Sequence, residues 1–136
     1  MVLIFCERKI IMKHIFTEEL LPARGDIFIA DMNVVDSMGH ILVHKRRPVI
    51  VVQNNLANNH GSSTVTVVPI STDKHGKRLP THLRLEKNSF MLKKQSIAHV
   101  ENITTILRSD LKYYVSRVDD SVMRELVRLI NIQIGG

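Results

Sequence analysis

Apolar residues in this chain come in short runs separated by polar stretches, a spacing that predicts strands before helices. Residues 27–32 (IFIADM) form one run and 48–53 (PVIVVQ) another. The second is apolar without alternation, as in a strand buried on both faces. Residues 64–70 (TVTVVPI) predict a third strand. Pro69 cannot donate to a ladder, so this strand is expected to end there, at an edge or a bulge. Residues 81–85 alternate, with Leu83 and Leu85 opposite His82 and Arg84. Residues 96–100 and 103–107 read as two further short strands.

Helical signals are few and late. Ser109 is placed to cap a short helix through Tyr114. Asp119 and Asp120 put acids at the positive end of a closing helix, where Val122, Leu126, Leu129 and Ile130 make an apolar stripe. Before the first strand, Ile11, Met12, Ile15, Phe16 and Leu20 could share one face of a helix that Pro22 helps to end. The expected organisation is an N-terminal extension over 1–23 and one domain over 24–136. Its class is mainly β with short helices (α+β), a small closed or half-closed antiparallel barrel with a C-terminal helix.

Between these elements lie two polar connections of interest. Residues 33–46 form a long one holding Gly39, His40 and His44, and long connections in compact domains are usually functional. Residues 71–80 form a second, basic one with Gly76 at its turn. A third polar turn region, 54–63, carries four Asn and Gly61.

Composition narrows the partners. The chain has 136 residues and a formal charge of +6. Residues 37–100 carry ten Lys and Arg against two acids, Asp73 and Glu86. Cations concentrated in this way attract polyanions, although charge alone favours a solvated basic surface. The single cysteine, Cys6, excludes an intrachain disulfide and suits a reducing compartment. No apolar run reaches the ~20 residues that span a bilayer. Glu7, Arg8 and Lys9 interrupt the apolar start too early for a signal peptide. The expectation is a cytoplasmic protein with no membrane contact. There is no phosphate-binding glycine loop, no spacing of His, Cys and acids typical of a metal site, and no cofactor signature.

Several segments resemble the MazF/PemK toxins in order and separation. They are Arg24-Gly25-Asp26-Ile27 ending at Asp31, Arg47-Pro48-Val49-Ile50-Val51-Val52-Gln53-Asn54 and Thr64-Val65-Thr66-Val67-Val68-Pro69-Ile70-Ser71. Then come Arg78-Leu79-Pro80-Thr81-His82, Ser96-Ile97-Ala98, Val100-Glu101-Asn102-Ile103 and the Asp119-Asp120 to Met123 helix start. The resemblance covers residue 24 to the C-terminus. It implies an SH3-like barrel of the MazF/CcdB type and an endoribonuclease that cuts single-stranded RNA at a short sequence. It also implies a homodimer restrained by a cognate acidic antitoxin. Asn102 stands where Gln is usual and Thr104 where Arg is frequent. The connection before Arg47 lacks the glycine-rich approach of many members. These departures bear on the sequence cut more than on the chemistry.

The resemblance assigns catalysis to Arg47 and Ser71. A guanidinium forks onto two phosphoryl oxygens and stays charged, and a hydroxyl can bond a phosphoryl oxygen or relay a proton. Taken without the resemblance, Arg47 also reads as a surface arginine opening a strand, and Ser71-Thr72 as a turn cap. RNA contacts are expected from His44, Lys45, Arg46, Thr72, Lys74, Lys77, Arg78 and Asn102. No general acid or base is assigned. His40, His44, His60 and His75 read as solvated or RNA-facing, and His82 as structural. Two other readings stay open: a CcdB-like toxin that poisons DNA gyrase, and a non-catalytic SH3-like RNA-binding module. The tail Ile132-Gln133-Ile134-Gly135-Gly136 has no Trp, unlike the tail the first of these resembles.

Overall fold

A computed structural model describes residues 21–73 and 79–135. Nine strands and two helices follow in order: β1 Asp26–Asp31, β2 Val34–Val35, β3 Ile41–Val43, β4 Arg46–Val51, α1 Asn55–Asn59, β5 Thr64–Thr72, β6 His82–Leu85, β7 Ser96–His99, β8 Thr104–Leu107, β9 Leu111–Arg117 and α2 Asp120–Gln133. Seven strands make one antiparallel sheet in the order β6-β7-β5-β4-β1-β9, with β8 also on β5. The sheet does not close, so the half-open form of the expected barrel is the one found. The predicted helix on residues 11–20 lies outside the described residues.

Both faces of the central strands are buried, which explains their unbroken apolar runs. Ile27, Ile50, Val68 and Ile70 pack with Met123, Leu126 and Leu129 of α2. Their neighbours Phe28, Ala30, Val49, Val51, Val65 and Val67 form a second cluster, covered by Ile106 of β8 and by Leu111 and Tyr114 of β9. The curl of the sheet thus creates two small cores in place of one large one.

The entry to β1 is fixed by buried Asp26. Its carboxylate accepts from the Ala23 N–H at 2.8 Å and from Arg117 Nε at 3.2 Å. Gly25 precedes it at φ +95, and an added Cβ would stand 3.6 Å from Met123 Cγ. Only glycine takes that conformation readily.

Three expectations need correction. Ser109 does not cap a helix: residues Arg108–Asp110 make a single 3-10 turn and the chain continues as β9. Tyr113 and Tyr114 suit a strand, and Tyr114 meets Phe28 edge-on at 5.7 Å, so packing on β1 decides the conformation. Second, β5 does not stop at Pro69 but runs to Thr72. β8 pairs with residues up to Val67 and β7 from Ile70, leaving a gap opposite Pro69 that tolerates its ring. Third, the long connection over 33–46 holds the β2–β3 hairpin, turned by Asp36, whose Oδ1 accepts from the N–H groups of Met38 and His40. The polar region over 54–63 likewise holds α1, capped by the Asn54 side chain.

Candidate active site

β4 and β5 are antiparallel neighbours, with Val49 opposite Pro69 and Ile50 opposite Val68. Two residues beyond that pair on each strand come Arg47 and Ser71. Both line one open cleft of about 1020 Å³, together with Lys45, Arg46, Thr72 and Asp73. A second concavity of about 640 Å³ shares Lys45 and Arg47 with the first and is lined further by Asn33, Asn102 and Thr105. Arg47 therefore stands where two depressions meet, with its base held in the β1–β4 ladder opposite Ala30.

The two adjacent arginines are used differently. Arg46 Nε donates to Asp31 at 3.0 Å, its Nη1 donates to the Tyr113 hydroxyl at 3.2 Å, and its guanidinium lies over the Tyr113 ring. The bond to Tyr113, then Asp31, raises its pKa above the ordinary arginine value. Arg47 makes no side-chain hydrogen bond or ion pair among the described residues. Its charge is available to a ligand, whereas that of Arg46 is spent on the fold.

The remaining expected residues are spread unevenly. Lys45 lines both depressions and Thr72 the first. Asn102 lines the second, on a 3-10 turn (Val100–Asn102) that interrupts the partner of β5 between β7 and β8. His44 is exposed between β3 and β4 and lines neither depression. Lys74, Lys77 and Arg78 lie outside the described residues.

What the sequence reading missed is a polar chain behind Ser71. Ser71 Oγ is 2.5 Å from His99 Nε2, His99 Nδ1 is 3.1 Å from Glu101 Oε2, and His82 Nε2 is 2.8 Å from the same oxygen. The two imidazoles meet edge-on at 4.7 Å. His82 and His99 both line the cleft. Burial works to raise the Glu101 pKa, but hydrogen bonds from His82, its own backbone N–H and His99 outweigh it, and the carboxyl sits below the ordinary glutamate value. His99 falls between two of the matched segments, so the resemblance does not single it out. Finding it requires the β5–β7 register, which places Ser71 opposite Ile97 and so within reach of His99. Ligand atoms of His82, His99 and Glu101 lie within 4.8 Å of one another, a spacing that could hold a metal. In this arrangement one nitrogen of each imidazole is committed to Glu101 Oε2, while the buried Oε1 has no hydrogen-bond partner among the described residues.

A sequence profile described as the PemK-like, MazF-like toxin of type II toxin–antitoxin systems matches residues 23–134. The chain belongs to the PemK/MazF family. A curated Endoribonuclease MazF from Staphylococcus saprophyticus is 33% identical over 114 residues, covering 82% of this chain and 90% of that protein. A mycobacterial endoribonuclease solved in complex with its cognate antitoxin superposes with a TM-score of 0.65 at 20% identity, over 84% of this chain and 95% of its own. A MazE-MazF complex from Deinococcus radiodurans gives 0.66 at 14% identity, over 85% and 97%. These structures share the fold of the PemK/MazF chain described here, including the closing helix. No helix among its described residues is long and apolar enough to cross a membrane.

Proposed function

We propose that this PemK/MazF protein is a toxin endoribonuclease that cuts single-stranded messenger RNA at a short specific sequence. The observation that carries this reading is the convergence of Arg47 and Ser71 on one cationic cleft, in a chain 33% identical to an endoribonuclease. RNA brings its own nucleophile, the 2′-hydroxyl. The protein must align it with the phosphorus, stabilise the crowded phosphorane and manage two protons. Arg47, without a side-chain partner among the described residues and fixed at the start of a buried strand, supplies preorganised positive charge to the phosphoryl oxygens. Ser71 supplies a hydroxyl on the facing strand. Attack by the 2′-oxygen breaks the bond to the 5′-oxygen and leaves a 2′,3′-cyclic phosphate and a 5′-hydroxyl, with no metal needed to create the nucleophile.

Bases are read in the second depression, where Asn33, Asn102 and Thr105 offer hydrogen-bonding side chains, and Lys45 tracks the backbone. A cognate antitoxin with an acidic extended segment would cover the same cleft and associate rapidly. The active form is a homodimer in the cytoplasm. The test is incubation of the purified protein with a long single-stranded phage RNA in excess EDTA. Discrete cuts are expected, and Arg47→Ala should slow them by about 100-fold or more with folding retained. Absence of cutting, or dependence on an added divalent ion, contradicts the reading.

A further inference from the structure

The Ser71 hydroxyl is not simply a contact in the cleft; its hydrogen-bonding direction is determined. Glu101 is an ionised carboxylate and can only accept, so His99 Nδ1 must carry a proton toward it. In neutral His99 the other nitrogen, Nε2, then presents a lone pair, and that lone pair faces Ser71 Oγ at 2.5 Å. Ser71 donates its hydrogen to His99 and leaves its own lone pairs toward the cleft. His82 is fixed by the same logic. Its Nδ1 accepts the Leu79 N–H at 3.1 Å, so Nε2 donates to Glu101. Two imidazole donors on Glu101 Oε2, beside a buried Oε1 without a hydrogen bond among the described residues, hold the carboxylate in place. The whole arrangement is anchored on β7 and the 3-10 turn after it, and its side chains are largely buried.

We propose that His99 is the proton acceptor of the cleavage reaction, acting through Ser71, with Glu101 as its positioning residue. This rests on the ribonuclease reading above. In the step, the 2′-hydroxyl gives its proton to Ser71 Oγ as the Ser71 proton passes to His99 Nε2. The 2′-oxygen bonds to phosphorus, the bond from phosphorus to the 5′-oxygen breaks, and that oxygen takes a proton from water. The imidazolium then returns its proton to solvent through the same hydroxyl. Glu101 stabilises the imidazolium and keeps the ring in the tautomer that leaves Nε2 free. The other titratable groups around His99 among the described residues are His82 and Asp73 and the cations Lys45, Arg46 and Arg47 of the same cleft.

The experiment uses full-length protein and the phage RNA under single-turnover conditions. Wild type and Arg47→Ala are run first, and cutting by one and not the other establishes the ribonuclease reading. His99→Gln is then expected to cut about 100-fold or more slowly. The wild-type rate should rise with pH between about pH 5 and 8, and His99→Gln should lack that rise. Added imidazole should restore part of the rate to His99→Ala and none to Arg47→Ala. The relay is overturned if His99→Gln cuts within about threefold of wild type with the same pH dependence. A wild-type rate that is flat over that pH range overturns it as well, even if no His99 variant folds. If wild type itself cuts no RNA, the ribonuclease reading fails and the relay with it.

Discussion

At the residue scale, the site depends on how neighbouring side chains are committed. Arg46 and Arg47 are adjacent and chemically identical, but one is tied to Asp31 and Tyr113 and the other faces two depressions. Glu101 gives the polar cluster a definite pH dependence. Its carboxyl lies below its ordinary value in the folded protein, so the stabilisation it contributes is complete above the unfolded value and fades as pH falls through the folded one. Thermal melts across the acid range should show wild type above Glu101→Gln at neutral pH, with the gap closing as the medium becomes acidic. A constant gap would mean that the carboxylate charge does not matter. Motif order made Arg47, next to Pro48, and Ser71, two residues after Pro69, legible as candidates in the sequence. His99 was not, because its role depends on which half of β5 meets β7, and register is a tertiary property.

At the element scale, β5 organises the molecule. Its first half pairs with β8, its last residues with β7, and β4 runs along its other side. The apolar runs at 48–53 and 64–70 revealed the central strands, since burial on both faces leaves an unmistakable composition. Local capping signals were weaker guides. Ser109 looked like a helix cap, but Tyr114 gains more from packing on Phe28 than a short isolated helix could offer. The closing helix is legible in the sequence because its apolar stripe is long and its cap forms, with Asp119 accepting from the Val122 N–H at 2.9 Å. Leu126, fully buried against the sheet, carries that docking. Leu126→Ala should cost about 2–5 kcal/mol in urea unfolding. A cost below ~1 kcal/mol would mean that α2 is not an integral part of the core.

At the scale of the whole molecule, the proposed function asks fold and charge together to make a track for RNA. The half-open barrel puts Arg47 at the junction of two depressions, with Lys45 lining both. Ten of the 19 basic residues fall between 37 and 100, the part of the chain that includes β4, β5 and β7. RNA affinity should therefore fall steeply with salt, and Lys45→Ala should reduce the log–log slope by about 0.7 if it removes one phosphate contact. An unchanged slope would place Lys45 off the RNA path. The central claim is that the 2′-hydroxyl of the RNA is the nucleophile and Arg47 the charge that stabilises its attack. The most direct measurement is mass spectrometry of the fragment ends made by the wild-type protein in EDTA. The account predicts 2′,3′-cyclic phosphate and 5′-hydroxyl ends, whereas 3′-hydroxyl and 5′-phosphate ends would contradict it.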